Sequence, residues 1–167
     1  MSAAPGVASG GSGPALVFLP GYMSDMAGGK ATAVFEWAQE NGRACLLLDY
    51  SGCGASDGAF ADGTLSRWGD EVCGLMDHLR LTQVMLVGSS MGGWLMLLVA
   101  LKARQSVRGL VGIAAAPDFT EWGFTPQQKT ALMAGEIRRR FGARQRHRVE
   151  QRRFRMHHAH SSATTPA

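Results

Sequence analysis

The sequence predicts an α/β domain with a mainly parallel sheet of about four strands, flanked by about three helices. Two observations carry this. Short, continuous apolar runs mark strands buried on both faces, and they alternate with longer stretches of helical period. A β, α, β, α, β, α, β order then calls for parallel strands joined by right-handed crossovers. With 167 residues, 46% of them hydrophobic, the chain can bury one sizeable core.

Residues 1–14 (MSAAPGVASGGSGP) hold almost nothing to bury and read as a flexible leader without a strand. Ala15 to Leu19 is a short apolar strand ended by Pro20-Gly21. Ala31, Val34, Phe35 and Ala38 then follow helical spacing, and Asn41-Gly42 supplies the stop. Ala44 to Asp49 is the second strand, followed by a glycine-rich loop from Tyr50 to Gly63. Thr64 is the expected N-cap of a second helix with apolar positions Leu65, Trp68, Val72, Leu75, Met76 and Leu79. Val84 to Val87 is the third strand, Gly88 to Gly93 a turn, Trp94 to Ala103 a third helix, and Val107 to Ala115 a fourth strand, left as an apolar edge. Such an edge invites aggregation, so poor solubility is expected.

Charge divides the chain. Residues 1–135 hold eight Lys or Arg against eleven Asp or Glu, whereas residues 136–167 hold nine Arg against two Glu. The basic excess therefore lies in a tail with neither strand nor amphipathic helical pattern, read as disordered. The longest apolar stretch, Trp94 to Leu101, is far shorter than the ~20 residues that span a bilayer. No basic-then-apolar leader opens the chain. Cys45, Cys53 and Cys73 form no CxxC pair, which disfavours a disulfide framework or structural zinc and fits a cytoplasmic location.

The chemistry sits in Gly88-Ser89-Ser90-Met91-Gly92, a G-x-S-x-G pentapeptide between a buried strand and a helix. A tight strand-to-helix bend exposes and orients a serine hydroxyl, and glycine is needed on both sides because side chains there collide. Ser90 has Gly88 and Gly92 at the required offsets and is the candidate nucleophile; Ser89 would need glycine at Val87 and Met91. Acyl transfer also needs main-chain donors for the developing oxyanion. The amides of Met91 and of Tyr22, after the Pro20-Gly21 turn, converge on Ser90 if the first and third strands of this reading are neighbours at a topological switch point.

Three segments in order, Phe18 to Met26, Asp49 to Gly58 and Gly88 to Met96, resemble the α/β-hydrolase superfamily. Together they are similar to its palmitoyl-protein thioesterase and acyl-glucuronide esterase branch. The resemblance covers about residues 12–134. It implies Ser90 as nucleophile, Tyr22 and Met91 as oxyanion hole, an ester or thioester substrate, no cofactor or metal, and the start of a lid from Phe119 to Gly135. The core with this lid segment is then residues 15–135.

The superfamily places an acid and then a histidine on loops after later strands. Here no later strand ends in an acid or precedes a histidine, so the chain reads as a truncated core whose tail is non-family sequence from truncation or a shifted frame, and its hydrolase activity is expected to be impaired by the loss of that acid and histidine. Asp118 follows the fourth strand and reads as a loop or cap carboxylate. His147, His157, His158 and His160 are candidate bases by chain order only, and His78 reads as a solvated helix residue. Asp49 and Asp57 are expected to hold their loop by hydrogen bonds, and Met85, Met91 and Met96 to fill the core. Two nucleotide motifs fail on spacing. Ala31 follows Gly29-Lys30 where a P-loop needs Ser or Thr, and Asp57 stands where a dinucleotide fingerprint needs glycine. Two readings stand beside the serine hydrolase: a catalytically inactive hydrolase fold that binds ligands, and a nucleic-acid binder acting through the arginine tail.

Overall fold

The computed structural model describes residues 5–8 and 11–133. Five strands form one sheet in the order β1-β3-β2-β4-β5, with β1 Pro5–Ala8, β2 Ala15–Leu19, β3 Cys45–Leu48, β4 Val84–Ser89 and β5 Val107–Ile113. β2 through β5 pair in parallel, as the apolar runs predict. Where a strandless leader was expected, β1 adds a fifth strand, antiparallel to β3 from Pro5 opposite Leu48 to Ala8 opposite Cys45. Edge pairing of this kind is made by main-chain groups, so a Gly/Ala-rich segment can join a sheet without any side-chain pattern to announce it. The arginine-rich stretch 136–167, with its four histidines, lies outside the described residues.

Crossover helices α1 Gly29–Glu40, α2 Leu65–His78 and α3 Met91–Lys102 join the parallel strands. α2 begins as expected, with Thr64 Oγ1 accepting from the Arg67 amide at 3.1 Å. Trp68, Val72 and Met76 of α2 pack with Leu86 of β4 and Leu95 and Val99 of α3 on one face of the sheet. Ala31 and Ala38 of α1 cover Leu16, Phe18 and Leu47 on the other. β2 and β3 are buried at every position, whereas Leu110 and Val111 of β5 are 43% and 42% exposed. Met91 and Met96 belong to the core, as expected.

α3 starts at Met91, three residues earlier than the sequence reading. Gly92 and Gly93 argue locally against a helix, but the tertiary fit needs them inside its first turn. A Cβ on Gly93 would collide with Ala115 and one on Gly92 with the Leu19 carbonyl. Beyond β5, α4 Phe119–Trp122 ends the first compact unit at Gly123. The described part of the second unit is α5 Pro126–Met133, capped reciprocally by Thr125 and Gln128.

Candidate functional site

β4 enters its bend buried and leaves it as helix. Ser89 is 4% exposed within the strand, and the next residue, Ser90, is exposed with φ 53° and ψ −119°. A non-glycine residue at positive φ costs about 1–3 kcal/mol and persists only where the surroundings over-determine it. The surroundings here are main-chain bonds. Ser90 N donates to Ile113 O at 3.0 Å, while Ser90 O accepts from Gly93 N at 2.9 Å and Ala116 N at 3.1 Å. The end of β5 thus clamps the bend from one side and the first turn of α3 from the other.

The flanking glycines are required by space. A Cβ on Gly88 would lie 2.5 Å from Gly92 O, and one on Gly92 would run into the carbonyls of Leu19 and Pro20. This second contact brings the turn after β2 against the bend, because β2 and β4 are neighbours with Leu19 opposite Gly88. Gly21 lies closest, its Cβ direction ending 3.2 Å from Ser90 Cβ. Tyr22 follows it directly. Met91 is the buried first residue of α3, where amides have no acceptor within the helix and the helix dipole is positive. The turn carrying Tyr22 and the amide of Met91 therefore flank Ser90 at the carboxyl edge of the sheet, the switch point between β2, β3 and β4.

The turn is anchored from β3. Asp49, 2% exposed, accepts from Met26 N on Oδ1 at 2.7 Å and from Ala55 N on Oδ2 at 2.9 Å, and its carbonyl accepts from Ser56 Oγ at 2.7 Å. Tyr50, fully enclosed, donates its hydroxyl to Pro20 O at 3.0 Å. Burial pushes the Tyr50 hydroxyl well up from its ordinary pKa, with Cys53 and Asp49 adding to the effect. Burial likewise raises Tyr22. It also pushes the Cys53 thiol up to about 12, assisted by the negative charges of Asp49 and Glu71.

A second layer continues through α2. Glu71 accepts from Ser51 N and Ser51 Oγ at 3.0 and 2.6 Å and pairs with Arg67 Nε at 3.1 Å, while Trp68 Nε1 donates to Ser51 O. Rings run outward from Tyr50, which stacks on Trp68, through Phe60, tilted against Trp68, to Tyr22, edge-on to Phe60, with centroids 5.2, 5.8 and 5.5 Å apart. Sequence reasoning expected a hydrogen-bonding role for Asp49 and a core role for Trp68 but missed Tyr50 and Glu71. One signal was available for Glu71: it sits one turn beyond Trp68 on the helical face turned toward the loop.

Asp57 contributes its carbonyl, accepting from Gly52 N at 2.9 Å. Asp118 is exposed with φ 52° ahead of α4, and its side chain makes no cap bond there; its carbonyl accepts from Glu121 N. Among the described residues the one histidine is His78, exposed at the end of α2. The chain passes from it into the start of β4, so His78 stands at the opposite edge of the sheet, about 20 Å from Ser90 by the length of that strand. The described residues contain no group of three or more His, Cys, Asp or Glu that could hold a metal ion, and no helix long and apolar enough to cross a membrane.

Comparison with known proteins agrees with this fold. Residues 14–164 match the family described as alpha/beta hydrolase fold. The chain is 44% identical over 108 residues to the mitochondrial palmitoyl-protein thioesterase ABHD10 of Homo sapiens, a match covering 65% of this chain and 35% of that protein. It is 42% identical over 130 residues to the Mus musculus protein of that name, covering 75% and 44%. Among solved structures, mouse alpha/beta hydrolase domain-containing protein 10 superimposes with a TM-score of 0.71 at 40% identity, covering 80% of this chain and 54% of that one. A putative hydrolase from Agrobacterium vitis S4 gives 0.71 at 37% identity, covering 78% and 55%. The chain thus spans less than half the length of these curated relatives.

Proposed function

This chain belongs to the alpha/beta hydrolase fold family, and from that premise we propose that it is a serine hydrolase of the esterase or thioesterase type. The observation that carries the reading is Ser90 itself, an exposed hydroxyl on a residue at φ 53° between β4 and α3. Its Oγ attacks the carbonyl carbon of an ester or thioester, and the carbonyl electrons move onto oxygen. The main-chain amides of Met91 and Tyr22 receive that charge. Collapse expels the alcohol or thiol, which leaves with the proton that Ser90 gives up, and water then releases the acid and restores the Ser90 hydroxyl. The proton acceptor for Ser90 is assigned to no described residue. Support for the thioester side of the substrate class comes from the ABHD10 relatives, whose name is palmitoyl-protein thioesterase.

The test is turnover of a p-nitrophenyl ester and of an acyl thioester, combined with peptide mass analysis. The expected result is an acyl mass on the peptide containing Ser90, with adduct and turnover both lost in Ser90→Ala. Turnover that survives Ser90→Ala, or a folded chain that forms no adduct, overturns the proposal.

A further inference from the structure

The turn carrying Tyr22 is held from two directions. On the β4 side, Gly21 packs so closely that an added Cβ would lie 3.0 Å from Ser89 O and 3.2 Å from Ser90 Cβ, tighter than ordinary van der Waals contact. On the β3 side, two consecutive residues grip the turn at its two ends. Tyr50 Oη donates to the carbonyl of Pro20, two residues before Tyr22, and Asp49 Oδ1 accepts from the amide of Met26, four residues after it. Between these grips Ser24 N donates to Gly21 O, just beyond them Gly28 N donates to Asp25 O, and Met23 sits at φ 55°. A non-glycine residue at positive φ needs outside support.

Asp49 is suited to give that support. Its second oxygen is tied to Ala55 N, and Gly54 approaches so closely that any Cβ there would overlap the carboxylate. The group is thereby fixed in place, and its charge shortens and strengthens the bond to Met26 N. Tyr50 is fixed just as firmly by its stack on Trp68. An amide that stabilises an oxyanion must be set before the reaction, since small misplacements cost large factors in rate.

We infer that Asp49 and Tyr50 are positioning residues for the oxyanion turn, acting together from the end of β3 to hold the Tyr22 amide toward Ser90; this rests on the serine-hydrolase reading above. Their role differs from general stabilisation of the core in being local to residues 20–26.

Two conservative variants test it. Tyr50→Phe keeps the ring and removes the hydroxyl; Asp49→Asn keeps the shape and one acceptor. In each, amide hydrogen exchange at residues 21–26 is expected to rise about fivefold, the scale of one lost hydrogen bond, with exchange across α3 unchanged. The first-order rate at which saturating fluorophosphonate labels Ser90 is expected to fall about tenfold, with half-saturation unchanged. Exchange that stays at the wild-type level, or rises equally in α3, overturns the inference, as does unchanged labelling in a variant whose turn has loosened. A folded wild-type chain that takes no label removes the Ser90 reading and this inference with it. Variants that label and exchange like wild type remove this inference alone.

Discussion

Two segments meet at the carboxyl edge of the sheet and differ in how far side chains hold them. The bend at Ser90 is fixed by main-chain bonds to Ile113, Gly93 and Ala116 and by the absence of side chains at Gly88 and Gly92. The loop after β3 adds a side-chain frame to its own main-chain bonds: Asp49 and Glu71 accept its amides, and Tyr50 stacked on Trp68, with Phe60 tilted against that ring, lies behind it. Added atoms break the first arrangement; the second, although Gly54 also has no room for a side chain, depends on the atoms that Asp49, Glu71 and Trp68 supply. A nucleophile that must be exposed cannot be enclosed by bulk, whereas a supporting loop can.

The largest expected effect is on the side-chain-built loop. Trp68→Ala removes a buried ring and the bond to Ser51 O, and is expected to cost about 4 kcal/mol in urea unfolding. At the bend, Gly92→Ala adds one methyl against the carbonyls of Leu19 and Pro20, backbone that cannot move aside without distorting β2. A loss of about 3 kcal/mol is expected in the same measurement. If Gly92→Ala unfolds like wild type, the close fit at the bend is wrong. Glu71→Gln keeps the size and removes the charge behind Ser51 and Arg67, for about 1 kcal/mol.

A further effect, confined to alkaline pH, belongs to the loop. Burial raises Cys53 from its ordinary 9.0 to about 12, so the unfolded chain loses this proton first. The stability tied to it is complete below pH 9 and falls as pH climbs from 9 toward 12. The thermal midpoint is expected to drop over that range, and to drop less in Cys53→Ala. Equal slopes for the two proteins would remove the cause.

The same contrast explains what was legible. Apolar runs from Ala15 to Leu19, Ala44 to Asp49 and Val84 to Val87 read as strands because burial on both faces leaves a continuous signature, and the strands lie at Ala15–Leu19, Cys45–Leu48 and Val84–Ser89. The bend was visible because its constraint is glycine at fixed offsets around Ser90. β1 was not, since pairing through main-chain groups leaves no side-chain pattern. Nor were the grips of Tyr50 on Pro20 and Glu71 on Ser51, which join residues 30 and 20 positions apart and depend on where β2, β3 and α2 come to lie. Local propensity also misplaced the start of α3, because Gly92 and Gly93 answer to Leu19 and Ala115 rather than to the helix.

The most direct test of the account distinguishes two adjacent serines. Fluorophosphonate labelling of the folded chain, followed by fragmentation of the modified peptide, is predicted to place the phosphonyl group on Ser90, with labelling abolished in Ser90→Ala and retained in Ser89→Ala. A phosphonyl group on Ser89, or a folded chain that takes up no reagent, would contradict it.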